Sequence, residues 1–218
     1  FWTATAPTAN TCNQTTTKLW VKLSSLPTSG STIYIYYGNA DATTVSNGSN
    51  VFSTFADFTT GSSLPTGWVQ TDVGTSGTAT VGSGVLTITN TNGEDVWQKV
   101  YGATHVYNNS TVNGSFVAEA LVNSLSDVNP WAKTGITVQN SVAAAVGNGH
   151  AFIVTTPEYG IAFQYQSTTG ELCTPTCEDG IVSPNTQTND GSVSFPMFLK
   201  LIKKSGNQVS GYYSTDGS

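Results

Sequence analysis

The sequence predicts an all-β protein: a two-sheet antiparallel β-sandwich with a small N-terminal β segment. Three observations carry this expectation. Apolar and polar residues alternate at period two through most of the chain, which is the pattern of half-buried strands. Ser, Thr and Asn are abundant and there are 22 Gly, the residues that many short strands and tight turns require. The length of 218 residues suits one large β domain, or one domain with a smaller piece attached.

In chain order, Lys18-Leu-Trp-Val-Lys-Leu23 and Ser31-Thr-Ile-Tyr-Ile-Tyr-Tyr37 read as strands joined by the turn segment Ser25 to Gly30. A polar tract from Gly38 to Asn50 follows, and a boundary falls near Ser53 to Asp57. The expected domains are therefore 1–53 and 54–218. Beyond a turn-rich stretch from Thr59 to Trp68, Val85 to Thr89 is a strand approached through Gly82 and Gly84, and Asp95 to Tyr101 is another. Ser115 to Val122 alternates well, with Phe116, Ala118, Ala120 and Val122 on one face and Glu119 on the other. Lys133 to Gln139, His150 to Thr155, Ile161 to Gln166, Phe198 to Lys203 and Gln208 to Tyr213 complete the series. Only Asn140 to Val146 suggests a helical turn.

Charge narrows the function. Charged residues are 9% of the chain, against about 25% in ordinary domains. There is no Arg, and the net charge is −6. Nucleic acid and anionic membrane surfaces both select for Lys and Arg, so neither is an expected partner. No apolar run approaches the ~18 residues of a membrane span. Solubility must come from hydroxyls, amides and attached sugars, which points to an extracellular, cell-surface location. Five Asn-x-Ser/Thr glycan acceptors agree with that: Asn13, Asn47, Asn108, Asn109 and Asn113. Phe1-Trp-Thr-Ala-Thr lacks the character of a signal peptide, so the chain reads as a mature or trimmed portion of an exported precursor. Of three cysteines, Cys173 and Cys177 are expected to form a loop disulfide, leaving Cys12 unpaired or bonded to something outside the chain. The other arrangement joins Cys12 to one of the two.

Two resemblances add to this reading. Leu19-Trp-Val-Lys-Leu23, the run from Pro27 to Asn39 and Ala42-Thr-Thr-Val-Ser-Asn-Gly48 resemble a small uncharacterised domain of prokaryotic surface proteins, covering about residues 1–52. The resemblance implies further strands upstream. From about residue 55 to 218 the chain is similar to concanavalin A-like, laminin-G-like jelly rolls. The residues that carry the likeness include Glu94-Asp-Val-Trp97, Gly114 to Glu119, Pro130-Trp-Ala-Lys-Thr-Gly135, Gly149-His-Ala-Phe152, Pro157-Glu-Tyr-Gly160, Leu199-Lys-Leu201 and Tyr212 to Gly217. Such modules serve as carbohydrate-binding or structural parts of secreted enzymes and adhesins. Gln139 stands where that pattern often has Arg, and the insertion Cys173 to Asn189 departs from it. The pattern also implies one more strand after Tyr212-Tyr-Ser-Thr-Asp-Gly217; a strand from another chain could complete the sheet, the other reading being a trimmed or disordered end. The expected edge strands are Trp2 to Thr5 and Val209 to Tyr213.

Catalysis is not expected. A glycosidase on this fold needs facing carboxylates, which on a strand means an i, i+2 pair. Glu94-Asp95 and Glu178-Asp179 are adjacent instead. His105 and His150 sit in no nucleophile-like context, and His150 heads an apolar strand. No cofactor is expected. Calcium would have to use Asp127-Val-Asn129 or Glu178-Asp-Gly180, each short of the six to eight oxygens it takes. Trp2, Trp20, Trp68, Trp97 and Trp131, with Tyr159 and Tyr165, could stack on sugars, though Trp97 and Trp131 read as core. Lys22, Lys99 and Lys133 could form an internal isopeptide bond, with no motif to support it. The functional expectation is a non-enzymatic structural or adhesion protein: a pilus-like filament subunit or adhesin module, a glycoprotein whose partners are copies of itself or other surface proteins. The alternative is a carbohydrate-binding module of a secreted glycan-degrading enzyme, with glycans as partners.

Overall fold

The computed structural model describes residues 2–4, 17–37, 39, 41, 43, 45–91, 95–97, 100–142, 149–166, 186–188 and 191–217. The chain is all-β, as expected, and divides into two compact units: Phe1–Pro65 with Val81–Val85, and Thr66–Thr80 with Leu86–Ser218.

The first unit holds strands β1 (Trp2–Ala4) and β2 (Lys18–Trp20), paired antiparallel with Trp2 opposite Trp20, and the single helical turn α1 (Gly48–Val51). Asn47 caps α1, its side-chain oxygen accepting the Asn50 N–H at 3.0 Å. Helical backbone continues for one turn only, because nothing extends an apolar stripe beyond it. A small aromatic core forms around this turn. Trp2 meets Phe52 and Phe55 edge-on at 5.4 and 5.1 Å, Trp20 meets Phe52 at 5.5 Å, and Phe52 stacks on Phe55 at 5.8 Å. Such pairs add about 0.5–1.5 kcal/mol each beyond the area they bury. Gly48 is buried against the Phe55 ring, where a side chain would collide.

Two expected strands change here. Lys18 to Leu23 is strand only as far as Trp20, and Ser31 to Tyr37 is in no strand at all. The turn between them is present: the Gly30 N–H donates to the Pro27 carbonyl at 2.8 Å, with Gly30 at φ +80°. Period-two sequence states which faces a strand would show. It does not supply the neighbour whose N–H and C=O groups the strand needs.

The second unit is a sandwich with attached hairpins. In order come β3 (Trp68–Val73), β4 (Gly77–Gly82), β5 (Val85–Asn90), β6 (Val96–Trp97), β7 (Val100–Tyr101), β8 (Ala103–Asn108), β9 (Phe116–Val122), β10 (Thr134–Gln139), β11 (His150–Thr155), β12 (Ile161–Gln166), β13 (Thr186–Gln187), β14 (Met197–Lys203) and β15 (Val209–Ser214). β4 pairs with β5, and the tip of that hairpin, Val81–Val85, counts with the first unit. β3 pairs with β8, and Gln70 on β3 grips β4 through its amide, donating to the Gly77 carbonyl and accepting the Ala79 N–H, each at 2.8 Å.

The two main sheets are β10-β11-β12-β13 and β15-β14-β9, both antiparallel. Met197, Leu199 and Leu201 line the inner face of β14 and pack on Ile153 and Ile161, with Ile136, Val138 and Phe163 around them. Each such side chain contributes about 1.5–3 kcal/mol by leaving water. β9 shows its expected faces: Ala118 and Ala120 lie opposite Leu201 and Leu199, while Glu119 lies opposite Lys200. The other face of β11 buries Phe152 and Val154, with Ala162 from β12, beneath Val96 and Trp131. β11 is thus buried on both faces, which explains its unbroken run Ala-Phe-Ile-Val. Two glycines set the close approaches. A Cβ on Gly135 of β10 would run into the Ile153 carbonyl, and one on Gly211 of β15 would lie 2.6 Å from Phe163. The expected helical turn at Asn140 to Val146 falls partly at 143–146, outside the described residues.

Candidate assembly surfaces

The three-stranded sheet ends in β15. β14 flanks it on one side, and among the described residues no strand lies on the other. The register places Tyr213 opposite Leu199, Tyr212 opposite Lys200 and Gly211 opposite Leu201. Because side chains alternate, Val209, Gly211 and Tyr213 share the inner face and Tyr212 the outer one. Gly211 brings this strand against Phe163 and Ile153 of the opposite sheet. On the outer face Glu119, Lys200 and Tyr212 form a row across all three strands, and the Lys200 ammonium pairs with Glu119 at 2.9 Å. An exposed pair of this kind is worth about 0–1 kcal/mol, so it colours the surface more than it holds the sheet. Tyr212 and Tyr213 are each about half exposed, and Val117 of β9 is 59% exposed. Tyr212 and Tyr213, with Phe198 and Gly217, flank a shallow groove at the Phe198 end of the sheet. After β15 the chain turns: the Ser214 hydroxyl accepts the Asp216 and Gly217 N–H groups at 3.2 and 2.9 Å, and Gly217, at φ +74°, rests on the Phe198 ring.

The second surface is the run that sequence alone reads as a strand. Ile33, Tyr34, Ile35, Tyr36 and Tyr37 are 52%, 74%, 66%, 91% and 94% exposed. The run from Thr32 to Tyr37 has no charge and no proline. Two Ile and three Tyr over five residues are among the strongest β-forming combinations, and uncovered they invite strand pairing with another chain. Periodicity signals the strand but not its exposure, so this surface is invisible without the structure.

Other candidate residues fall elsewhere. His105 on β8 is 9% exposed, and burial, with His150 nearby, depresses its pKa while Asp72 opposes the shift. His150 stacks on Phe152 at 5.5 Å. Gln139 is paired with His150 across β10 and β11. Lys133 forms an ion pair with Asp95 and lies 5.7 Å over the Trp131 ring, which itself stacks on Tyr159 at 4.2 Å. Trp131 packs against buried core as expected, and Lys22 is exposed. The Asp127–Asn129 loop holds itself, Asn129 accepting the Trp131 N–H at 2.8 Å. Among the described residues no three His, Cys, Asp or Glu side chains gather as a metal site. No described helix is long and apolar enough to cross a membrane.

Asn109 and Asn113 are exposed between β8 and β9, Asn47 is exposed at its cap, and Asn108 is half-buried at the end of β8 opposite Trp68. Asn13, Cys12, Cys173, Cys177, Lys99, Glu94, Glu178 and Asp179 lie outside the described residues, so the expected disulfide falls there too.

Comparison with known proteins gives one family match. A model described as a domain of unknown function (DUF2341) matches residues 7–72. The matched segment takes in α1, the exposed run and, of the aromatic cluster, Trp20, Phe52 and Phe55, and ends within β3. No curated protein and no solved structure gives a significant match.

Proposed function

We propose that this chain is a non-enzymatic structural subunit of the extracellular surface, assembled into a pilus-like filament or adhesin array by β-strand complementation. One observation carries the reading: among the described residues, the same chain holds a chargeless, β-forming run in no sheet and a sheet edge with no strand on its outer side. Either feature alone is a hazard that folded proteins suppress with charge, proline or a cover. Together they are the two halves of a strand-addition contact. The sparse charge and the absence of Arg fit an external protein that meets neither nucleic acid nor anionic lipid. In this reading Asn47, Asn109 and Asn113 carry glycans, their exposure supporting them over the half-buried Asn108. The sandwich is read as a concanavalin A-like jelly roll, supported by its two packed antiparallel sheets.

Electron microscopy of the protein isolated from its source without denaturation tests the proposal. Continuous filaments with a one-subunit repeat are expected. Discrete monomers would sink it and favour the glycan-binding alternative, for which the outer row of Glu119, Lys200 and Tyr212 is the place to look on a glycan array.

A further inference from the structure

We infer that the donated strand is Ser31–Tyr37 of one copy, added to the outer edge of β15, at Val209–Tyr213, in the next copy. The inference rests on the strand-complementation reading and specifies its two faces. In a strand Ile33, Ile35 and Tyr37 share one side, with Thr32, Tyr34 and Tyr36 on the other. The acceptor edge is two-faced in the same sense. Its inner side, with Val209 and Gly211, lies beside the core formed by Ile153, Phe163 and Leu201. Its outer side carries Tyr212 in the row with Lys200 and Glu119. An added strand in register places the isoleucines over the flank of the core and leaves the phenol hydroxyls of Tyr34 and Tyr36 beside Tyr212, wet at one end. The reverse facing would put isoleucine in water and two phenols over an aliphatic core, so the pattern selects one register parity.

The occupant is a second copy of this chain. The run offers no charge by which a foreign partner could be chosen, whereas its period and apolar face match the edge that the same polypeptide presents. Donor and acceptor are different surfaces, so the contact is head-to-tail and propagates as a filament, or closes as a ring, rather than stopping at a dimer.

The test uses the whole chain in three forms. Ile33→Asp with Ile35→Asp should raise the concentration needed for assembly by more than about tenfold, while Tyr34→Asp with Tyr36→Asp changes it by less than about threefold. These positions are all exposed in the subunit, so thermal melting of the unassembled protein should be unchanged in both variants. In parallel, a benzophenone amino acid at position 36 is photolysed in assemblies grown from mixed 14N and 15N copies. Cross-linked peptides of mixed isotope joining position 36 to 209–213 are expected. Filaments whose cross-links map elsewhere, or that respond equally to the two double variants, would overturn this assignment and leave the filament reading standing. A wild-type chain that never assembles, with no mixed-isotope products at any concentration, would overturn both.

Discussion

His105 shows how a single side chain couples this fold to pH. Burial in β8 is the main cause of its depressed pKa, the nearby His150 adds to it, and Asp72 works against it. The unfolded chain keeps the ordinary value near 6.5. Above that pH both states hold a neutral imidazole and the full stability is present. As pH falls below it the unfolded state takes up the proton first, so stability declines until the folded pKa is passed. Asp72, held below the ordinary carboxylate range chiefly by the Thr104 hydroxyl, acts in the same sense further into acid. The melting temperature should therefore drop between about pH 7 and pH 5, and the drop should be shallower in His105→Gln. An identical slope in the variant would assign the titration to another group. The sequence reads His150, from the apolar strand it heads, as a hydrogen-bonded structural side chain, and in the fold its ring stacks on Phe152. Nothing local marked His105, because its burial comes from residues distant in the chain.

Strands that carry the core were the most legible elements. His150–Thr155 and Ile161–Gln166 were expected with the bounds they have, since runs such as Ala-Phe-Ile-Val can be satisfied only inside. β3, β4 and β8 were not anticipated. Gln70, Asp72, Thr104 and His105 interrupt the apolar pattern in β3 and β8, and Gly, Thr and Ala dominate β4. The junction of β10 and β11 shows what sequence withholds at this scale. Gly135 reads as one more flexible residue, yet its Cα sits so close to the Ile153 carbonyl that no side chain fits. Gly135→Ala must push the two strands apart or bend one, and should cost about 2–4 kcal/mol of unfolding free energy. Urea denaturation checks this, with Gly114→Ala as a comparison for steric effect: its φ of +77° strains the backbone, but nothing lies within 4 Å of the added methyl. A Gly135→Ala variant no less stable than that comparison would show that β10 and β11 can move apart freely.

For the whole molecule the governing feature is scarce charge. Seven Lys and thirteen acidic residues over 218 positions leave few ion pairs to carry an assembly. Contacts made by backbone pairing and apolar burial are insensitive to ionic screening. Assembly should thus shift by less than about threefold between about 0.1 M salt and about 1 M, where the Debye length falls from about 10 to about 3 Å. Sedimentation across that series is the check. Assembly abolished by salt would point instead to contacts through Glu119 and Lys200.

The sequence by itself determined the class of backbone, the position of the strands with the most apolar faces, and the sparse charge from which expectations about partners follow. Those properties are local, fixed by side-chain period and composition. Only the tertiary structure decided which strands find neighbours. Met197–Lys203 and Ser31–Tyr37 have the same alternation, yet the first lies between two strands with Leu199 and Leu201 sealed, while the second stands open to water. Alternation describes a strand's two faces, and pairing depends on its two edges, which belong to other parts of the chain or to another molecule.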